Sequence, residues 1–353
     1  MVKINRKEFL ASAGKWKLEK KMVQQVIVNG DKKIVRVLYH GVGYQYTLVL
    51  ENEGDPEKFE AWVELDKLVK AVKASKDEVV TLEQFGDKGL LVDGFAKVPA
   101  AEGSPLDQFV FEGERFSIPE GVWDRIVDLV VPHVSDDETR YFMNGVFFEH
   151  KEGDDNITFV GTNGRTLAKM SSGTFPEISS LKSFSIIVPF DNILLFVGSD
   201  VDCLIGERYA EFRTKSENGT FLGTIVKLIE GQYPNYGRVI PEKTKKNIRM
   251  NTAELETAIK KIVSCFGKKD IRRAVFTIED NGLTIETGSA SLTISAKTPK
   301  ADIGKKFAMN PDFILDSIGF EEETVFNYSE MAHAFRIDDS LVTRVIMPMS
   351  LDA

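Results

Sequence analysis

One short pattern occurs six times along the chain: an alternating apolar run, a polar or proline break, and then apolar residues at helical spacing. The six runs begin at Val2, Ala61, Phe116, Ile186, Ile248 and Phe307. Because alternation is typical of a strand and a spacing of three to four is typical of an amphipathic helix, each copy predicts a strand that leads into a helix. The copies form three pairs, which predicts three similar segments.

These segments predict three repeated domains, 1–111, 112–241 and 242–353. Each is expected to contain two helices packed on antiparallel sheets, so the predicted fold class is α+β. Alternating runs at 26–28, 34–38 and 46–50 predict strands in the first domain. The fold is therefore expected to hold more strand than helix.

Turn and cap residues mark several element ends. Pro119 and Pro311 suit the first position of a helix, and Asn251 followed by Glu254 matches a capping box. Between two alternating runs, Asn281-Gly282 predicts a hairpin with a type I′ turn.

The composition excludes several classes of protein. No apolar run is long enough to span a membrane, and the N-terminus lacks the apolar core of a signal peptide, so a cytoplasmic protein is expected. Cys203 and Cys265 are expected to be buried, and neither belongs to a metal-ligand pattern. The four histidines are scattered and no phosphate-binding loop or nucleophile elbow occurs. We therefore expect no enzyme activity, no metal and no cofactor.

The net charge is −9, yet basic residues concentrate in three segments, 1–21, 66–76 and 260–273. The first carries seven basic residues against two acidic ones, the second four against one and the third six against one. Such segregation lets an acidic protein present a basic surface to phosphate. A solvated helix face gives the same pattern, so each cluster leaves both interpretations open.

Four segments carry a resemblance to a known family: 138–149 (ETRYFMNGVFFE), 160–168 (VGTNGRTLA), 228–241 (LIEGQYPNYGRVIP) and 345–349 (VIMPM). In this order and spacing they resemble the bacterial DNA polymerase III β subunit, the replicative sliding clamp. The first segment resembles a strand of that family. Residues 1–111 match by the repeat pattern only.

The resemblance implies three DNA-clamp domains per chain and a head-to-tail homodimer that closes into a ring around double-stranded DNA. It implies a non-catalytic processivity subunit, with helices lining the hole and partner peptides bound in a hydrophobic cleft between the second and third domains. The implied partners are the replicative polymerase, the clamp loader and other proteins with clamp-binding peptides, with no membrane partner.

The family's DNA contacts and the basic helices together give one set of expected site residues. The expected DNA-binding residues are Lys17, Lys20, Lys21, Lys67, Lys70, Lys73, Arg140, Tyr141, Phe142, Lys260, Lys261 and Lys268. The resemblance also implies a peptide cleft formed by Met143, Thr162, Gly164, Arg165, Leu167, Pro241, Val345, Ile346, Met347, Pro348 and Met349. Ordinary strand packing remains an alternative for Tyr141 and Phe142, as does an edge strand for residues 347–349.

The chain departs from the family pattern at Asn163, Arg165, Thr166 and Ser350 and has two residues beyond Leu351. These departures imply altered cleft affinity or preference. A clamp of a phage or mobile element, and a non-replicative structural protein with this fold, remain alternatives to a replicative clamp.

Overall fold

The structure, a computed structural model, describes residues 1–14, 25–30, 33–41, 44–54, 58–102, 110–214, 220–267 and 270–351. Within that part of the chain it has six α-helices and twenty-four strands, so strand predominates as expected. The helices are α1 (Arg6–Ala13), α2 (Leu65–Ala74), α3 (Glu120–Leu129), α4 (Phe190–Ile193), α5 (Thr252–Ser264) and α6 (Pro311–Ser317). Short 3-10 helices span Val131–His133, Glu138–Met143, Pro176–Ser180, Leu194–Phe196, Tyr236–Arg238 and Lys300–Asp302.

The strands follow three equal sets along the chain, eight to a set. The first set is β1 (Val2–Asn5), β2 (Gln25–Gly30), β3 (Ile34–Gly41), β4 (Tyr44–Glu51), β5 (Phe59–Glu64), β6 (Val79–Phe85), β7 (Gly89–Val92) and β8 (Ala96–Val98). The second is β9 (Glu114–Ile118), β10 (Gly145–His150), β11 (Thr158–Thr162), β12 (Thr166–Ser171), β13 (Phe184–Pro189), β14 (Val201–Ile205), β15 (Tyr209–Thr214) and β16 (Phe221–Lys227). The third is β17 (Lys246–Asn251), β18 (Ala274–Glu279), β19 (Gly282–Glu286), β20 (Ser291–Ser295), β21 (Lys306–Met309), β22 (Glu323–Tyr328), β23 (Phe335–Asp338) and β24 (Val342–Ile346).

The chain divides into two compact units. Unit 1 contains Met1–Asp124 and Asp191–Leu228, and unit 2 contains Arg125–Phe190 and Ile229–Ala353. Residues of the predicted middle domain therefore contribute to both units. The three-domain division stays a prediction drawn from the sequence repeat.

Each unit holds one eight-stranded antiparallel sheet, built from two four-stranded halves. In unit 1 the strand order is β5-β2-β3-β4-β16-β15-β14-β9, and in unit 2 it is β13-β10-β11-β12-β24-β23-β22-β17. We call the pairing of the two halves the junction, which is β4 with β16 in unit 1 and β12 with β24 in unit 2. The two large sheets are joined in the same way. Each strand at a junction is the last of three strands that follow one another in the sequence.

Two further half-sheets stay four-stranded. Unit 1 has the order β1-β6-β7-β8, and unit 2 has β20-β19-β18-β21. Here β8 and β20 occupy the place that the junction strands occupy in the large sheets. In the part of the chain that the structure describes, both lie at a sheet edge.

Five of the six copies of the sequence pattern fold as a strand followed by a helix, as predicted, and the copy at Ile186 leads into a single four-residue α-turn. At three of the six a single asparagine caps the helix, because its side-chain oxygen accepts a hydrogen bond from a first-turn amide. Asn5 and Asn251 are also the last residues of their strands, and Asn310 directly follows its strand. These oxygens lie 3.0 Å from Glu8 N for Asn5, 3.0 Å from Glu254 N for Asn251 and 2.9 Å from Asp312 N for Asn310. Pro311 is the first residue of α6, and Pro119 immediately precedes α3.

The core of the third repeat lies in unit 2 and packs α5 and α6 on strands. The side chains of Leu255, Ile259 and Ile262 on α5 are buried with Phe276 and Phe307 in one apolar cluster. Phe276 and Phe307 stack with ring centroids 4.9 Å apart. The apolar stripe predicted from the sequence therefore fixes which face of α5 meets the sheet, and which face remains polar.

Four local predictions were wrong. Asn281 has φ +71° but Gly282 already pairs with Glu279, so Asn281-Gly282 is not the centre of a type I′ turn. Cys265 is exposed and its thiol contacts the Lys261 carbonyl, 3.3 Å away, whereas Cys203 is buried as expected.

The other two wrong predictions concern element type. Residues 138–143 form 3-10 turns rather than a strand. The helix predicted after residue 189 is only one α-turn long before it tightens into a 3-10 turn. Among the described residues, no helix is both long and apolar enough to cross a membrane.

Candidate peptide cleft and basic helix faces

The junction of unit 2 brings together several residues of the predicted cleft. Leu167 on β12 lies opposite Val345 on β24, and Thr162 lies opposite Leu167 across the β11–β12 hairpin. One step further along, Met347 N donates to the Arg165 carbonyl at 2.9 Å. The antiparallel register thus places residues more than 170 positions apart on one surface.

An apolar cluster lies on this face of the sheet. Its buried members are Val160, Leu167, Ile187, Tyr233, Ala334 and Val345, with Phe142, Phe147, Ile229, Tyr236 and Ile240 packed against them. Phe147 stacks on Tyr233 with centroids 4.6 Å apart and planes within 7° of parallel. Apolar floors with aromatic walls are typical of sites that bind short peptides.

Two tyrosines of the 228–241 segment hold this wall in place. The Tyr233 hydroxyl donates to the Val160 carbonyl at 3.1 Å, and the Tyr236 hydroxyl donates to Glu149 Oε2 at 2.5 Å. Burial raises the pKa of Tyr233 above its ordinary value, and burial together with Glu149 does the same for Tyr236. Both rings therefore stay neutral and fixed by hydrogen bonds, while Lys169 Nζ lies 5.8 Å from the Tyr236 ring centre.

The turn between β11 and β12 is closed by its own side chains. Thr162 Oγ1 donates to the Thr166 carbonyl at 2.7 Å, and Asn163 Oδ1 accepts from Arg165 N and Thr166 N at 2.9 and 2.8 Å. Gly164 has φ +81°, a conformation that L side chains rarely adopt. The amide oxygen of Asn163 accepts both hydrogen bonds, so the departure from the family pattern at this position leaves a closed turn.

Neighbouring segments approach this turn closely. A Cβ atom on Gly164 would lie 2.9 Å from Arg140 Nη1, and one on Gly231 would lie 3.3 Å from Phe142 Cβ. Arg140 is itself fixed by a 3.0 Å hydrogen bond from Nε to Asp137 Oδ2. The segments around 140, 164 and 231 therefore form one continuous surface next to the cleft.

A buried polar group lies on the opposite face of β24. Arg344 is fully buried and its Nη2 atom donates to Asp339 Oδ2 at 2.8 Å, while its Nε and Nη1 atoms have no hydrogen-bond partner in the described part of the chain. His133 Nε2 lies 3.1 Å from the Asp316 carbonyl. Burial, and then the Arg344 charge, lower the pKa of His133 to about 3, so this imidazole is neutral at pH 7. The charged pair and the neutral imidazole lie under the cleft floor.

The structure separates the predicted cleft residues into two groups. Thr162, Gly164, Arg165, Leu167, Val345 and Met347 lie at the junction, and the Pro241 carbonyl accepts from Arg336 Nη1 at 2.9 Å. Ile346 packs in the core of the third repeat, because neighbouring residues of a strand face opposite sides. Met143 is buried outside the apolar cluster, and Met349 pairs with Ala308 beyond the half-buried Pro348.

The walls of this cluster were not predicted from the sequence. Phe147, Tyr233, Tyr236 and Ile240 all lie in segments that carried the family resemblance, but none is among the predicted site residues. Phe142, which was expected at DNA, packs against the cleft cluster, and its contact with DNA stays a prediction. The signal was the aromatic content of segment 228–241, which only the fold connects to β10 and β11.

The predicted DNA-binding residues lie on exposed surfaces where the structure describes them. Lys67, Lys70 and Lys73 are exposed on α2, opposite the buried Leu65 and Leu68. The same holds for Lys260 and Lys261 on α5, and Arg140 and Tyr141 are also exposed. Lys17, Lys20, Lys21 and Lys268 lie outside the described residues.

Several of these lysines have local acidic partners. Lys67 Nζ is 2.8 Å from Glu64, Lys70 Nζ is 2.6 Å from Asp66 and Lys260 Nζ is 2.6 Å from Glu256. Exposed pairs of this kind contribute little to stability, so a phosphate can displace the carboxylate at small cost. Two arginines of the third basic segment make contacts within the chain. Arg272 pairs with Asp312, and Arg273 donates to the Ser350 and Leu351 carbonyls.

Comparison with known proteins places this geometry in a class. The chain aligns along 99% of its length with the DNA polymerase III β subunit of Thermotoga maritima, at TM-score 0.82 and 18% identity, and covers 99% of that chain. It aligns along 99% of its length with the ligand-bound sliding clamp of Pseudomonas aeruginosa, at TM-score 0.84 and 20% identity, covering that chain completely at 100%. The chain therefore has the sliding-clamp fold.

Sequence comparison points to the same family. The chain is 27% identical over 294 residues to the beta sliding clamp of Salmonella typhimurium, a match that covers 77% of this chain and 76% of that protein. It is 31% identical over 199 residues to the beta sliding clamp of Treponema pallidum, covering 54% and 48%. No protein-family model matches the chain. The resemblance to the bacterial DNA polymerase III β subunit is confirmed, at identities that mark a divergent relative.

Proposed function

We propose that this chain is a sliding clamp: two copies close into a ring around double-stranded DNA and tether the replicative polymerase through a peptide cleft. The observation that carries the proposal is the pair of open half-sheets. Both large sheets arise when one half-sheet pairs its last strand with the last strand of another. The half-sheets that end at β8 and β20 lack such a partner in the described part of the chain.

A second copy supplies what each half-sheet lacks. If β8 of one chain pairs with β20 of the next, both half-sheets become eight-stranded and follow the rule seen at the two internal junctions. Because β8 and β20 are different surfaces, this contact is head-to-tail and its repetition closes a ring. Closure with two copies gives a homodimer of six repeats.

A ring can retain DNA without reading its sequence. The lysines of α2 and α5 supply long-range attraction to phosphate, and flexible ammonium groups exchange between neighbouring phosphates. Phosphate contacts carry no base information, so the complex can move along the duplex. Topology then provides the retention, and the proposal assigns no chemical reaction to the chain.

The cleft of unit 2 supplies the tether. Leu167, Val345 and the stacked Phe147–Tyr233 pair form an apolar floor and wall, and Met347, 43% exposed, lies next to the floor residues. Methionine adapts to different partners because it is unbranched and polarisable. One docking surface can therefore serve a polymerase, a loader and other proteins in turn.

The first test combines mass in solution with topological retention. Light scattering should give twice the mass of the chain, and a loaded complex should remain on closed circular DNA but leave it after linearisation. A monomer, or retention that linearisation does not change, would contradict the proposal.

A second test addresses the basic face of α2. Reversing Lys67, Lys70 and Lys73 to Glu should weaken loading, with a steep dependence on salt, because phosphate contacts release counterions. The matched control reverses three exposed lysines of unit 1 outside its helices, Lys33, Lys58 and Lys227. Equal loss in both variants would remove α2 from the DNA-facing surface.

A further inference from the structure

The junction of unit 1 repeats the junction of unit 2 position by position. In unit 2 the hairpin pair Thr162–Leu167 encloses four residues, and Leu167 lies opposite Val345. In unit 1 the pair His40–Gln45 also encloses four residues, and Gln45 lies opposite Ile225. Gln45 and Ile225 therefore occupy in unit 1 the places that Leu167 and Val345 occupy in the cleft.

A pocket of about 300 Å³ lies at this place in unit 1. The apolar part of its floor is formed by Leu38, Leu204 and Ile225, which are 2%, 5% and 7% exposed, and Glu211 lies between Leu204 and Ile225 on the intervening strand. Phe111 and Phe221 also line it. A pocket of this size accommodates one or two side chains of a ligand.

Charged groups make this pocket differ from the cleft of unit 2. Arg36 and Arg115 line it together with Glu211, so cations exceed anions. In the described part of the chain neither arginine forms an ion pair, and Arg115 is exposed. An unpaired guanidinium beside an apolar floor suits a carboxylate, which it can bind with two parallel hydrogen bonds.

We propose that this pocket is a second docking site, which binds a short peptide segment that carries an acidic residue next to a bulky apolar one. The apolar side chain lies on Ile225 and on the leucine to one side of it, Leu38 or Leu204. The carboxylate pairs with the arginine beside that leucine, which is Arg36 on the strand of Leu38 or Arg115 opposite Leu204. The site goes beyond the proposed cleft, because it lies in the other unit and selects for negative charge.

The probe is the peptide acetyl-Gly-Asp-Leu-Bpa-Gly-amide, where Bpa is the photoreactive benzoylphenylalanine. After irradiation of the full-length protein, mass spectrometry of proteolytic fragments should locate adducts on segments that contain Leu38, Phe111 or Phe221. Adducts near Met347 report the cleft of unit 2 in the same experiment. A probe with Asn in place of Asp should give about tenfold fewer adducts in unit 1, because a charged hydrogen bond is lost.

Variants separate the two sites. Arg36→Gln with Arg115→Gln should lower adduct yield in unit 1 about tenfold and leave adducts near Met347 unchanged. Arg208→Gln, an exposed arginine of the same unit that does not line the pocket, is the matched control. A thermal unfolding midpoint equal to that of the parent protein verifies the fold of each variant.

Two results would overturn the proposal: adducts confined to the cleft of unit 2, or unit 1 adducts that are insensitive to both the arginine variant and the Asn probe. Neither result affects the ring or the cleft, which the mass and DNA-retention tests address separately.

Discussion

The two junctions have the same register and different linings. In unit 2, Leu167 and Val345 belong to an apolar cluster with tyrosine and phenylalanine walls. In unit 1, the equivalent pair is Gln45 and Ile225, in a pocket with two arginines and a glutamate. The backbone plan is therefore set by the repeat, while the outward side chains decide what each junction can bind.

The inward sides of the two junctions differ even more. Counting from the equivalent pairs, Arg344 in unit 2 corresponds to Thr224 in unit 1. Both are buried, at 0% and 1% exposure, but one is a cation paired with Asp339 and the other a hydroxyl near Asn192. Unit 2 thus has a charge-dependent support under its cleft, and unit 1 has a neutral one.

The largest expected effect comes from breaking that support. Asp339→Asn leaves the Arg344 guanidinium buried without a counter-charge, and we expect the free energy of unfolding of unit 2 to fall by about 3–5 kcal/mol. Hydrogen exchange at the backbone amides of unit 2 in increasing denaturant measures it. Thr224→Val in unit 1 is the control and should cost about 1 kcal/mol. Equal losses would show that the two supports do not differ.

The next effect concerns binding at the cleft. Met347→Ala with Met349→Ala should weaken a short apolar clamp-binding peptide about tenfold, because apolar anchors dominate such interfaces. Fluorescence anisotropy with the labelled peptide measures the affinity, and light scattering checks that the mass in solution is unchanged. Unchanged affinity would remove these methionines from the cleft.

Acidification should lower the stability of unit 2 through His133. Its folded pKa, about 3, lies below the ordinary value near 6.5, so the unfolded chain binds the proton first as the pH falls. Stability is therefore lost on acidification across this window, by about 1 kcal/mol between pH 6.5 and 5.5.

Comparison with a variant isolates this contribution. Burial and then Asp312 raise the pKa of Asp316 to about 6, which opposes the histidine because the folded state favours the neutral carboxyl. Both the parent and His133→Asn contain Asp316, so the difference between their unfolding free energies reports His133 alone. A difference that does not vary with pH would contradict the burial of a neutral imidazole.

The smallest expected effect tests whether the side chains that line a junction determine how tightly it binds a peptide. Gln45→Leu gives unit 1 the residue that unit 2 has at this register, and we expect the Asp-containing probe to bind unit 1 about threefold more tightly, because apolar contact area increases. Adduct yield at limiting probe concentration measures the change. Gln84→Leu, at an exposed glutamine of unit 1 that does not line the pocket, is the matched control and should leave the yield unchanged. A lower yield for Gln45→Leu would contradict the expected gain.

The sequence predicted the features that depend on short-range pattern. The alternation before Asn251 and the apolar stripe after it were enough to predict a strand, a cap and a helix. Glu254 was expected to return a hydrogen bond to the cap residue, but its Oε1 atom instead accepts from Ser295 N at 3.1 Å. Tertiary contact replaced the local partner.

Features that depend on register were not predictable in this way. The pairing of Leu167 with Val345 follows from the joining of two half-sheets distant in sequence. The same joining exposes a pocket around Ile225 that no motif marks. The position of Phe142 in the cleft wall depends on the approach of Gly231, so its aromatic character alone could not distinguish DNA contact from packing.

A single asparagine connects strand to helix at Asn5, Asn251 and Asn310. At these places the number of connecting residues matters as much for the packing of the repeat as the choice of core residues. At Asn5 and Asn251 no residue separates strand from helix, and at Asn310 only the asparagine itself does, so one extra residue would rotate the following helix by about 100° about its axis. In α5 that rotation would move Leu255 and Ile259 off the sheet and turn charged side chains toward Phe276. Substitutions at these asparagines cost one cap, whereas an insertion would dismantle the packing of a whole repeat.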